Sequence, residues 1–123
     1  MIRIKKNEPA SASSIEIFLL NIAFELPKGF VEFFSESNGG VISGENNYVE
    51  IWPLTEMIQL NKSYEVDKYA SDYFVFGSDG GGAAYCIEKK TAFIYEMQFI
   101  GMPDGVSFIC KSFEDFLKKP FSL

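Results

Sequence analysis

The sequence predicts an α+β fold: a single domain whose antiparallel-dominated central sheet is flanked by about four helices. Three observations carry this expectation. Segments with apolar residues at helical spacing stand near both ends of the chain. Between them, short strand-like runs are joined by glycine-rich turns, the pattern of hairpins and a meander rather than of parallel crossovers. Finally, 123 residues are enough for one core. A folded chain of this mass exposes roughly 6,700 Å² of the roughly 20,000 Å² that it exposes unfolded. Thirteen Phe, six Tyr and one Trp supply the core, and each buried aromatic removes about 150–250 Å² from water.

The elements follow in order. Residues 1–11 mix basic and small polar residues and read as a loose lead-in. Ser13-x-x-Glu16 is a capping-box pattern, and Ile15, Phe18, Leu19 and Ile22 then form the stripe that a first helix buries. Pro27 suits the first turn of a second helix, where its missing N–H costs nothing. Phe30, Phe33 and Phe34 line that helix's inner face. Asn38 and Gly39 both tolerate positive φ and stop the helix, and Gly40 lets the chain turn into Val41-Ile42-Ser43. Residues 44–47, Gly-Glu-Asn-Asn, read as a hairpin loop, with Tyr48 to Trp52 returning. After Pro53, Leu54, Met57, Ile58 and Asn61 stand at helical spacing. Tyr73 to Phe76 is an unbroken apolar run, the mark of a strand covered on both faces. Residues 78–82 turn the chain, Ala83 to Glu88 returns antiparallel, and Thr91 to Met97 and Val106 to Cys110 are two further strands. Ser112-x-x-Asp115 caps a closing helix that buries Phe113, Phe116 and Leu117. No internal repeat, linker or low-complexity tract interrupts the chain.

Composition excludes several functions. A net charge of −6 is the wrong sign for a nucleic-acid binder, which clusters Lys and Arg to displace counterions. That charge serves solubility, and equally the long-range attraction of a basic protein. Without histidine, Ser-His and Cys-His nucleophiles are ruled out, and a Ser-Lys pair lacks a GxSxG or SxxK pattern. The glycines of residues 77–82 have neither GxGxxG spacing nor a following Lys-Ser/Thr. They stand between strands and read as a hairpin tip rather than a phosphate loop. Asp67, Asp72 and Asp79 are too dispersed for a calcium loop. A carboxylate pair assembled through space is not readable from sequence. Cys86 and Cys110 lie in apolar runs and read as reduced, buried side chains; a bridge between adjacent strands is the alternative. Two cysteines do not complete a Cys/His zinc site. The first residues, MIRIKKNEPASASS, have no apolar core of a signal peptide, and no apolar run reaches the roughly 20 residues of a membrane span. The chain therefore reads as cytoplasmic, with no metal, cofactor, nucleic-acid or membrane partner. Trp52 reads as a core plug at a strand end, with an interface role as the alternative.

Four stretches together resemble a known pattern. LPKGFVEFFSESNGG, YVEIWPLTEMIQLN, FVFGSDGGGAAYCIE and FICKSFEDFLKK are similar, in order and spacing, to signatures of the SUKH superfamily, also described as the Smi/Knr cell-wall assembly or glucan-synthesis regulator family. The resemblance spans residues 15–119. It departs at Ala83-Ala84, where members often carry a polar or acidic residue, at Glu88, where an Asp is frequent, and in a first helix poor in charge. It implies a sheet flanked by helices and no enzymatic activity. Pro27, Phe30, Asn38, Gly39, Gly40, Trp52, Gly82 and Phe113 then read as determinants of the fold. It also implies a protein partner. The leading expectation is an immunity protein that neutralises a cognate polymorphic or contact-dependent toxin domain. The alternatives are a regulatory scaffold of cell-wall synthesis and a small-ligand sensor. Glu45, Asn46, Asn47, Asp72 and Asp79, polar residues of expected loops, are the candidates for partner contact.

Overall fold

A computed structural model describes residues 3–44 and 47–118. Among them, seven strands form one sheet in the order β1-β2-β3-β4-β5-β6-β7. Every neighbouring pair is antiparallel. The strands are β1 Arg3–Lys6, β2 Gly40–Ser43, β3 Tyr48–Ile51, β4 Tyr73–Ser78, β5 Ala83–Glu88, β6 Ile94–Gln98 and β7 Ser107–Cys110. The helices are α1 Ala12–Leu20, α2 Phe30–Glu36, α3 Leu54–Ser63, α4 Val66–Tyr69 and α5 Phe113–Lys118. The α+β expectation is met, with five helices where about four were expected.

The lead-in is the first correction. Arg3–Lys6 pairs with Gly40–Ser43 as an edge strand. Its charges hid it, since edge strands carry Arg and Lys without the alternation of a half-buried strand. Within α1 the cap is Ser11, whose Oγ accepts the Ser14 N–H at 3.1 Å, and Ser13 lies inside the helix. The helix ends at Leu20, so Ile22 falls beyond it, and Leu19 is 43% exposed. Only Phe18 of the expected stripe is fully buried. Pro27 precedes α2 by a turn, its carbonyl accepting the Phe30 N–H at 3.1 Å.

The Asn-Gly-Gly stop does more than end α2. Gly39 has φ +85°, and a Cβ there would lie 2.5 Å from the Ile51 carbonyl. Gly40 has φ +148°, and a Cβ would lie 2.6 Å from the Lys5 carbonyl of β1. Both positions therefore require glycine. Asn38 does not take positive φ. Its Oδ1 instead accepts the Leu54 N–H at 2.6 Å, satisfying a free amide at the start of α3. One side chain thus joins the end of α2 to the beginning of α3.

α3 is held at its other end by Asn61. Strand β3 pairs with β4 only at Glu50↔Ser78 and Ile51↔Gly77, and then the chain leaves the sheet at Pro53. Where the strand is missing, the buried Asn61 carboxamide replaces it. Its Oδ1 accepts the Val75 N–H, and its Nδ2 donates to the Val75 carbonyl, each at 2.8 Å. Buried backbone groups left without partners would cost about 1–3 kcal/mol each, so this amide stands in for a neighbouring strand.

Phenylalanines from α1, α2 and α5 cover one face of the sheet. Phe30 lies 4.8 Å from Phe34 and 5.1 Å from Phe113 between ring centres, and Phe76 lies 5.0 Å from Phe116. A β-bulge interrupts β4 between Val75 and Gly77. Without the extra residue Ser78 would share a face with Phe74 and Phe76. Instead it pairs with Glu50 and Ala84, on the opposite face. The closing helix keeps its expected cap, with the Asp115 N–H donating to Ser112 Oγ at 3.1 Å. Cys86 and Cys110 are free thiols on β5 and β7, with β6 between them. Two strand spacings, roughly 10 Å, separate such positions, too far for a disulfide.

Candidate functional site

The meander sorts its connections to two ends. Gly44, Asn47 and residues 79–82 and 99–106 lie at one end, while the turn at 89–93 and the start of β4 lie at the other. This arrangement separates the residues expected to contact a partner. Glu45 and Asn46 fall outside the described residues. Asn47 and Asp79 are exposed at the first end, and Asp72 is exposed at the second. Asp79 is largely occupied by the hairpin tip: its Oδ1 accepts the Gly81 N–H at 2.8 Å and the Ala83 N–H at 3.2 Å. In the same tip Gly80 takes the left-handed conformation beneath the Tyr48 ring, whereas Gly82 has ordinary backbone and meets only the Gln98 side chain.

The residues that do converge are different ones. Glu50 and Trp52 are two apart on the outgoing side of β3, so they share a face, the one opposite the phenylalanines. Tyr64, at the C-terminal end of α3, and Phe99, just after β6, meet Trp52 there. The Tyr64 and Phe99 rings stack at 4.4 Å and 24°, and Trp52 lies 5.9 Å and 6.2 Å from them, nearly parallel to both. Burial grades outward, from Trp52 at 5% exposed to Tyr64 at 45%, with Ile100 alongside Phe99 in sequence at 93%. The core reading of Trp52 matches its burial, yet its ring also floors this stack. A groove of about 390 Å³ runs over the rings, bounded by Glu50, Glu56, Gly80 and Gly81. Tyr48 Oη donates to Glu50 Oε2 at 3.4 Å. Among the described residues neither Glu50 nor Glu56 has an ion pair.

Two other concavities have a different character. A cleft of about 570 Å³ at the far end has an apolar floor that includes Phe24 and Phe74, with Lys62, Lys90 and Asp72 on its rim. Lys89 lies there too, bonded to Asp67 Oδ1 at 3.2 Å. On the phenylalanine face, a pocket of about 200 Å³ is lined by Asn47, Tyr85 and Glu96. Burial, then Glu96 and Asp79, push the Tyr85 hydroxyl up to about 12. Burial, then Glu88 and Glu96, push the Cys86 thiol up to about 12 as well. At neutral pH that thiol stays protonated and is a poor nucleophile. Among the described residues no group of three or more His, Cys, Asp or Glu could hold a metal ion. No described helix is long and apolar enough to cross a membrane.

Sequence reasoning missed Tyr64, Phe99 and Ile100. The two-residue spacing of Glu50 and Trp52 was the one local signal. The other members come from 12 residues later in the chain and beyond, and only the tertiary fold assembles them.

A consecutive antiparallel meander, with phenylalanine-bearing helices on one face and a half-open aromatic groove on the other, defines a single-sheet α+β domain. The pattern of the SMI1 / KNR4 family (SUKH-1) matches residues 9–119, and the chain belongs to that family. No curated protein matches it.

Proposed function

We propose that this chain is a non-catalytic protein-binding module, an immunity protein that neutralises a cognate toxin domain. Membership of the SMI1 / KNR4 family supports a SUKH-type module, and the resemblance of the four sequence stretches implies toxin neutralisation. The observation that carries the reading is the graded stack of Trp52, Tyr64 and Phe99 beside the exposed Ile100. Aromatic anchors held rigidly at a half-desolvated surface are the side chains from which binding energy at protein interfaces most often comes. The surrounding charge of −6 suits a basic partner, such as a domain that acts on nucleic acid, and accelerates encounter at low salt.

Co-expression with a toxin domain encoded beside this chain tests the reading. The expected result is rescued growth and co-purification of the two proteins, with rescue weakened by Tyr64→Ala. Undiminished toxicity alongside well-folded protein would overturn it.

A further inference from the structure

Resting on that reading, we infer that the groove over Trp52, Tyr64 and Phe99 is the seat of an arginine side chain presented by the partner. The geometry supplies each element that a guanidinium uses. Its flat face stacks on an aromatic ring, and the half-exposed Tyr64 ring, backed by Phe99 at 4.4 Å, offers such a face. Its edge donates two parallel hydrogen bonds to a carboxylate, and Glu50 and Glu56 border the same groove. Neither carboxylate is neutralised by a described lysine or arginine, and among the described residues no basic side chain bounds the groove. The cleft at the far end instead mixes Lys62, Lys89 and Lys90 with Asp67 and Asp72.

Room is present as well. Gly80 and Gly81 form one wall, so no side chain intrudes from the hairpin tip. A Cβ at Gly81 would make only an ordinary contact, 3.5 Å from Asp79 Oδ1. A larger residue is therefore accommodated by the backbone while it narrows the groove. Trp52, as the sole tryptophan, makes occupancy directly visible.

The test uses the full chain and two capped tripeptides, acetyl-Gly-Arg-Gly-amide and acetyl-Gly-Gln-Gly-amide, followed by Trp52 emission and by backbone amide NMR to millimolar peptide. The arginine peptide should give a saturable change confined to the groove residues, at least tenfold stronger than the glutamine peptide. Glu50→Gln with Glu56→Gln should weaken it about tenfold, and so should Gly81→Val, with thermal melting confirming that each variant folds. Equal responses to the two peptides, or a response unchanged in both variants, would overturn the assignment. The same variants separate this inference from the one beneath it. Full toxin neutralisation by the Glu50→Gln, Glu56→Gln protein would remove the arginine seat and leave the binding module standing. Failure of the unaltered chain to neutralise would remove the binding module, whatever the peptides do.

Discussion

Two groups of aromatic rings lie on opposite faces of the same sheet and are packed differently. The phenylalanines of α1, α2 and α5, with Phe76 of β4, meet mostly at tilted and edge-on angles, as Phe30 with Phe113 at 70° and Phe76 with Phe116 at 85°, the stacking of Phe18 on Phe30 at 21° being the exception. All but the partly buried Phe33 are shielded almost completely. Trp52, Tyr64 and Phe99 lie nearly parallel, and their exposure increases outward. Edge-to-face packing satisfies ring quadrupoles within a closed cluster, whereas a parallel stack leaves its outermost face unmatched. One group spends its faces on its own members. The other keeps one in reserve.

The largest effect expected from this contrast is on stability. Phe30 is 1% exposed and touches four other rings. Phe30→Ala should therefore lower the unfolding free energy by about 3–5 kcal/mol, measured by urea denaturation. Next comes Asn61→Leu, which removes the partners of both Val75 backbone groups. A loss of about 1–3 kcal/mol per unpaired group follows. Because Tyr64 lies three residues further along, Trp52 emission should also shift to the red as the stack loosens. A normal emission spectrum in that variant would show that the stack does not depend on the Asn61 anchor.

An alkaline titration probes shielding on both sides of β5. The folded-state values of Cys86 and Tyr85 are both raised, from 9 and 10 to about 12. Folding then retains protons that the unfolded chain releases, so this contribution is whole below pH 9 and is lost as pH rises from 9 to 12. Cys86→Ala and Tyr85→Phe should each flatten the decline, the first from pH 9 and the second from pH 10. An unchanged slope in both would mean that these groups are better hydrated than their burial suggests. The smallest stability effect is expected of Tyr64→Ala, under about 1 kcal/mol, since the ring is already half in water. Partner binding should nevertheless suffer more from this change than from any other single substitution in the groove. A stability loss as large as that of Phe30→Ala would erase the distinction between the two groups.

The sequence made the scaffold far more legible than the groove, and the reason is local periodicity. Phe30 and Phe34, Leu54, Met57 and Asn61, and the apolar run of β4 each announce their environment within a few residues. Where local signals competed, the reading slipped: Ser11, Ser13 and Ser14 all offer a capping oxygen, and only packing selects Ser11. β1 was invisible because Arg3, Lys5 and Lys6 describe a guarded edge rather than an apolar face. Asn38 was noticed for its backbone tolerance, while its side chain does the work of starting another helix. Loop polarity led toward Asn47, Asp72 and Asp79, but the meander sends Asp72 to the far end and the hairpin tip engages Asp79. Nothing near Tyr64 in the sequence reveals that Phe99 will lie 4.4 Å away.

The consecutive strand order also bears on how the chain assembles. β4 to β7 are joined by residues 79–82, 89–93 and 99–106, whereas 21 residues separate β3 from β4 (52–72) and 33 separate β1 from β2 (7–39). Closing the shorter spans forfeits less chain entropy, so the four C-terminal strands are expected to zip together before the N-terminal edge is added. Mutational φ-values should then be high in the β4–β5 and β5–β6 hairpins and near zero in β1. The helix that brings Tyr64 would dock onto a sheet already partly formed, which makes the aromatic groove a late product of folding.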